Sequence, residues 1–231
     1  AGRKLVMPGL VNMHTHAYMS VMRNYADDGE FGEWLFRRVM PVEDRFPREG
    51  AYWTNLLSCM EMIQTGTTSF VDMHMYCGQS PRAARDAGMR AFIGRSVVGE
   101  DLYGDGLGRF KEEIKEQEEY ESDRIRFIMS PHAIYTCSAR LLEQAMGEAE
   151  KRGMLKHIHL SESETEVKDC FDKYDEETIN DIYNSIIIPK RATIGSAGYD
   201  FYTPISFVLE PNKTIKIPTG IRVSINEGWF L

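Results

Sequence analysis

Two pairs of histidines, each pair separated by one residue, stand at the ends of two apolar runs. The first closes Pro8-Gly9-Leu10-Val11-Asn12-Met13-His14-Thr15-His16; the second is His157-Ile158-His159, with a carboxylate, Glu162, three residues on. Side chains at i and i+2 of a strand share a face, roughly 6 to 7 Å apart at about 3.3 Å rise per residue. Two imidazoles so placed can close on one divalent ion at about 2.1 Å each. Histidines at strand ends can equally be plain surface residues, and it is the flanks that favour a metal. Pro8-Gly9 turns the chain into the first run, and the same pattern then recurs beside a carboxylate. An ion held by neutral imidazoles acidifies a bound water toward neutral pH, and a nearby carboxylate can take the proton and pass it to a leaving group. The chemistry on offer is hydrolysis.

Positioning these groups requires strand ends on one face of a sheet, and the intervening sequence supplies alternating strands and helices. A polar and aromatic loop is expected from His16 to Pro47. A helix follows over residues 48–64, with apolar positions at Trp53, Leu56, Leu57, Met60 and Ile63, closed by Gly66. Next come a strand at 68–73, a short helix at 81–87 stopped by Gly88, a strand at 90–94 and a charged helix at about 107–121. A strand at 125–130, a helix at 138–152 stopped by Gly153, a strand at 155–160 and a helix start at Ser163 complete the series. Near-continuous apolar strands separated by helices imply a parallel sheet with right-handed crossovers, either a (β/α)8 barrel or a doubly wound sheet. The barrel is favoured because every candidate site residue follows a strand, on the C-terminal face. The acidic run Glu112, Glu113, Glu116, Glu118, Glu119, Glu121 reads as a solvated helix face without function. His74, at the end of the 68–73 strand, reads as a packing or supporting residue.

From about Asp175 the helix-period segments give way to short β-type runs punctuated by Pro, Gly and Asn, at 185–188, 197–202, 205–209, 214–217 and 221–225. A boundary is expected near residue 174. The 231 residues, 42% hydrophobic, suffice for one large or two small domains. A net charge of −8 disfavours a nucleic-acid backbone or an anionic membrane surface as partner and leaves small molecules as the better expectation. No apolar run approaches the roughly 20 residues of a membrane span, and no basic-then-apolar signal segment opens the chain. The missing initial Met points to a fragment. Cys59, Cys77, Cys137 and Cys170 are scattered, which suits reduced, mostly buried thiols in a cytoplasmic protein.

Residues 1–174 resemble the metal-dependent amidohydrolase superfamily in three motifs: the run ending in His14-Thr15-His16, Ser130-Pro131-His132, and His157-Ile158-His159-Leu160-Ser161-Glu162. The branch is that of methylthioadenosine/S-adenosylhomocysteine deaminases and related chlorohydrolases. The resemblance implies a partial (β/α)8 TIM barrel of about five βα units. It makes His14, His16 and His159 ligands of Zn²⁺ or, alternatively, Fe²⁺. Glu162 becomes the proton shuttle, and His132 holds substrate or intermediate. Trp34, Glu43 and Arg95 fall where nucleoside deaminases of this branch stack the base, bind the ribose and bind a substrate carboxylate. Four of these residues have plainer alternatives: a core aromatic for Trp34, a surface ion pair for Arg95, a helix cap for His132 and a helix-start carboxylate for Glu162. The implied reaction is hydrolytic deamination of an adenosine-like nucleoside, or the related hydrolysis of an amino-triazine, in a chain with the possibility of homo-oligomers. The family also uses a histidine after a sixth strand and an aspartate after an eighth, for which this chain has no sequence. Little activity is therefore expected of it alone.

Residues 175–231 resemble the opening of a trimeric dUTP pyrophosphatase in Lys190-Arg191-Ala192-Thr193, Gly195-Ser196-Ala197-Gly198-Tyr199-Asp200-Phe201-Tyr202 and Ile217-Pro218-Thr219-Gly220-Ile221. That resemblance implies an incomplete all-β, dUTPase-like segment in which Asp200 helps organise a Mg²⁺-triphosphate site; a turn aspartate is the alternative. Two rival readings of function are thus dUTP hydrolysis and a composite chain with no activity of its own.

Overall fold

The computed structural model describes residues 6–26 and 28–173. Two compact units divide the chain, Ala1–Ser163 and Glu164–Leu231. Of the second unit the described part is the helix α6, Glu164–Lys173. The expected all-β segment, the boundary near residue 174 and Asp200 all lie outside the described residues.

The first unit is built on a five-stranded, all-parallel sheet in sequential order. Its strands are β1 Leu10–Thr15, β2 Thr67–His74, β3 Arg90–Val97, β4 Ile125–Pro131 and β5 Leu155–Lys156. Sequential order with a helix after each strand is the half-barrel arrangement of the (β/α) class. The helices α2 Arg48–Gln64, α3 Gln79–Ala87, α4 Leu107–Tyr120 and α5 Ala139–Arg152 cover one face of the sheet. Their ends follow local chemistry. The Ser138 side chain accepts the Leu141 N–H at 3.1 Å to start α5, and Gly88 and Gly153 close α3 and α5 at φ 71° and 65°, a left-handed turn that glycine adopts without strain. Between sheet and helices lies the core, including Phe70, Ile93, Ile125, Met129 and Leu141.

Three expectations are corrected. Residues 17–47 are not one loop: they form a 3₁₀ turn over Ala17–Met22 and a π-helix over Glu33–Val39 running into α1, Met40–Glu43. Neither segment winds at 3.6 residues per turn, so the buried residues of this stretch, among them Tyr18, Met22 and Val39, follow no simple 3.6-residue period. The regular part of β5 is two residues instead of six. Beyond it the chain still zips onto β4, through His157 N–H to Met129 O and His159 N–H to His132 O, both at 2.9 Å.

The third correction concerns the acidic face of α4. Glu113 and Glu116 are fully buried, because positions 110, 113 and 116 recur on the face turned to the sheet. Glu116 accepts the Gly78 N–H, and its other oxygen lies 3.2 Å from His74 Nε2, off the direction of a hydrogen bond. Both Glu113 oxygens lack a hydrogen-bond partner among the described residues.

Asp72 is the polar hub of the β1–β2 junction. Fully buried, it accepts the Thr15 hydroxyl and the Ala17 N–H, each at 2.8 Å on Oδ1, and the Ser80 hydroxyl on Oδ2. Replacing Asp72 with Ala would strand buried donors, each costing about 1–3 kcal/mol. Urea unfolding of Asp72→Ala should show a loss of about 2–4 kcal/mol, and a loss below half a kcal/mol would remove the hub from the account.

Burial, and next the charge of Glu116, hold the Glu113 carboxyl well above its ordinary range, with Arg95 and Arg152 opposing. The folded state therefore keeps its proton longer than the unfolded state. That contribution to stability is full below the unfolded pKa of about 4.3 and is lost as pH rises toward the raised folded value. Glu113→Gln removes the penalty, so its Tm relative to the parent should climb between pH 4 and pH 8. A pH-independent difference would contradict the assignment.

Candidate metal centre and its cavity

Alternation along β1 sends Thr15 outward to Asp72 and turns His14 and His16 toward the opposite face. From the end of β5, His159 arrives on the same side. The outcome is a cluster in which the ligand atoms of His14, His16 and His159 all lie within 4.8 Å of one another. His16 Nε2 is 3.3 Å from His14 Nε2 and 3.0 Å from His159 Nε2. Nitrogens bound at about 2.1 Å around a tetrahedral ion sit about 3.4 Å apart, so these separations suit a shared cation.

The donor chemistry also fits. His16 Nδ1 donates to the Met73 carbonyl at 2.7 Å, which leaves Nε2 as the lone-pair nitrogen, aimed at its two neighbours. Burial, and then the proximity of His14 and His159, push the His16 pKa down to about 3. Burial lowers His14 as well, against the opposing charges of Asp72 and Glu162. Neutral imidazoles are the form that ligates. Among the described residues this is the one group of three or more His, Cys, Asp or Glu side chains with such a geometry.

The cluster opens into a cavity of about 540 Å³, within the range of small-molecule sites. His132 and Glu162 line it, together with Trp34 and Glu43. His132 Nδ1 lies 2.9 Å from Thr136 Oγ1, its ring 5.0 Å from that of His159; burial and the neighbouring His159 lower its pKa to about 3. Glu162 Oε2 accepts the Tyr135 hydroxyl at 2.7 Å. The carboxyl of Glu43 accepts the Tyr18 hydroxyl, and its main-chain oxygen accepts that of Tyr76 at 2.7 Å. Burial raises the Glu43 pKa and, with the charge of Glu43, carries the Tyr18 hydroxyl well above its usual range. Trp34 sits on the π-helix, lining the cavity while packing against the smaller core of Tyr18, Val39 and Ala51.

Arg95 is placed elsewhere. It shares the outward face of the sheet with its register partner His74, donates to the His74 carbonyl at 3.2 Å and pairs with Glu112 at 2.9 Å. The arginine that lines the cavity is Arg109, on α4, with Nη1 3.0 Å from the Ser96 carbonyl. Sequence reasoning did not single out Arg109, Tyr18 or Tyr135. For Arg109 the helical period of α4 was the available signal; for the tyrosines there was none. His157, noted as half of a pair but given no role, lies 2.7 Å from His14 Nδ1 through its Nε2. The thiols of Cys59, Cys77, Cys137 and Cys170 are free, with Cys59 and Cys137 buried. No helix among the described residues is long and apolar enough to cross a membrane.

The model of the amidohydrolase family matches residues 5–226, and so runs across the segment read as dUTPase-like. A 5-methylthioadenosine/S-adenosylhomocysteine deaminase of Caldicellulosiruptor saccharolyticus is 38% identical over 171 residues, 74% of this chain and 39% of the relative. A 5'-deoxyadenosine deaminase of Methanothermobacter thermautotrophicus is 41% identical over 172 residues, 72% and 40% of the two chains. This chain thus spans about two fifths of the length of these curated relatives. Among solved structures, an adenosine deaminase from Xanthomonas campestris with bound zinc superposes with a TM-score of 0.67 at 27% identity, over 73% of this chain and 39% of that one. A guanine deaminase from C. acetobutylicum shares the fold at a TM-score of 0.63 and 21% identity, over 73% and 43%. With a family match over nearly its whole length, on a parallel half-barrel whose first and fifth strands end in converging histidines, the chain belongs to the amidohydrolase family.

Proposed function

We propose that this chain carries the metal-binding part of a hydrolytic deaminase for adenosine-like nucleosides of the methylthioadenosine/S-adenosylhomocysteine type, with hydrolysis of amino-triazines as the neighbouring specificity. The observation that carries the reading is the convergence of three imidazole nitrogens within 4.8 Å of one another, those of His14 and His159 at 3.3 and 3.0 Å from that of His16, beside a cavity that Glu162 also lines. The names of the relatives support it. His14, His16 and His159 would hold the cation, Zn²⁺ in the first place, which supplies Lewis acidity and an acidified water when bound.

The remaining roles belong to the chain's own groups. Glu162 takes a proton from the attacking water and returns it to the departing amine, so that a C–N bond is exchanged for a C–O bond and ammonia leaves. The Tyr135 hydroxyl steadies the Glu162 carboxylate. His132 holds the heteroatom on which charge develops, its other ring nitrogen tied to Thr136. Trp34 offers a face for the base, and the Glu43 carboxylate offers acceptors for ribose hydroxyls. Arg95, given the substrate carboxylate by the resemblance, is engaged with Glu112, and the guanidinium facing the cavity is that of Arg109.

A second reading, dUTP hydrolysis with Mg²⁺ at Asp200, rests on the resemblance of residues 175–231 alone. Metal analysis separates the two. Purified protein should hold Zn²⁺ near one equivalent per chain, and His14→Ala or His159→Ala should release it; no metal in folded protein would sink the deaminase reading. Ammonia release from 5'-methylthioadenosine by the zinc-loaded chain alone should be weak, and Glu162→Gln should lower its kcat by a further factor of about 10² to 10⁴, with KM little changed. Pyrophosphate release from dUTP with Mg²⁺, in place of ammonia release, would favour the second reading.

A further inference from the structure

An imidazole ligates a metal through one nitrogen, and the hydrogen bond made by the other nitrogen decides which one carries the proton. His16 receives that instruction from the main chain, through the Met73 carbonyl. For His14 the group opposite Nδ1 is a second imidazole: His157 Nε2, 2.7 Å away, with the two rings stacked at 23° and 5.0 Å between centroids. A proton must lie between these two nitrogens, and only one direction suits a metal site. If His157 donated, His14 would carry its own proton on Nε2, the nitrogen turned to His16, and could not ligate there.

We propose that His157 is a positioning residue that accepts the Nδ1–H of His14 on its Nε2 and so presents His14 Nε2 to the cation as a lone pair. His157 then carries its own proton on Nδ1. The inference rests on the metal reading above and assigns a role to the half of the second histidine pair that the ligand set leaves unused. The backbone supports it: the His157 N–H bonds the Met129 carbonyl at 2.9 Å and the His159 N–H bonds the His132 carbonyl at 2.9 Å, so one rigid stretch of chain delivers both the ligand His159 and the acceptor His157. Alternation along that stretch puts both rings on the face shared with His14.

The test compares His157→Phe, which keeps an aromatic ring against His14 but has no acceptor, with His157→Gln, whose side-chain oxygen can accept. Zn²⁺ affinity is measured by competition with a chelator, and the ligand field is read from the absorption spectrum of the Co²⁺-loaded protein. His157→Phe should weaken Zn²⁺ binding by about 10- to 100-fold and alter the Co²⁺ spectrum, the range found when a ligand's hydrogen-bond partner is removed. His157→Gln should restore most of both. Equal losses in the two variants, or parent-like affinity in His157→Phe while His14→Ala loses the metal, would overturn the inference and leave the metal reading standing. Parent-like affinity in His14→Ala would remove the metal reading itself. Should His157→Phe not fold, ¹⁵N chemical shifts of the metal-free parent decide: His14 protonated on Nδ1 supports the inference, and His14 protonated on Nε2 overturns it.

Discussion

The site depends on the alternation of side chains at the end of β1. Thr15 is turned to one face and fastened to buried Asp72, so His14 and His16 must both face the other. Asp72 also receives the first N–H of the turn that follows, from Ala17, so the chain leaves the strand at a fixed angle. A slip of one residue in this strand would bury Thr15 in the cavity and send both histidines into the helix layer. The register is therefore set by a hydrogen-bonded carboxylate as much as by apolar packing, since several β1 side chains, Leu10, Val11 and Met13 among them, remain exposed.

The second constraint comes from β4 and β5. Main-chain bonds from His157 and His159 to the end of β4 carry the second histidine pair to the level of the first, although regular β5 pairing has already ended. His132, at the end of β4, reaches the same cavity. Three strand ends thus converge on the C-terminal side of the sheet, where parallel (β/α) architectures gather their chemistry. Partial burial and the neighbouring imidazoles push the pKa values of His16 and His132 down to about 3, which favours the neutral state in which one can ligate and the other can accept or donate according to its partner.

Much of this was legible in the sequence because it follows from short-range patterns. Apolar runs bounded by Gly66, Gly88 and Gly153 marked the strand and helix ends, and α2 was placed at its observed limits. The histidine pairs were visible because spacing alone puts both members of a pair on one face of a strand. What escaped was long-range. The sequence between His16 and Pro47 mixes polar and aromatic residues on 3₁₀ and π turns, so no 3.6-residue period showed. The buried carboxylates of α4 lie in a run that reads as solvent-facing, since charge alone does not tell which third of a helix faces a sheet. Whether an arginine on β3 or one on α4 would line the cavity depended on strand orientation at Arg95 and on the approach of α4, neither of which is local.

The central claim is that His14, His16 and His159 bind one cation together. X-ray absorption at the metal edge of the Zn²⁺-loaded chain tests it most directly. The account predicts three imidazole nitrogens in the first shell at about 2.0–2.1 Å, falling to two in His159→Ala. A shell with fewer than three imidazoles, or one containing sulfur from the thiols, would contradict it.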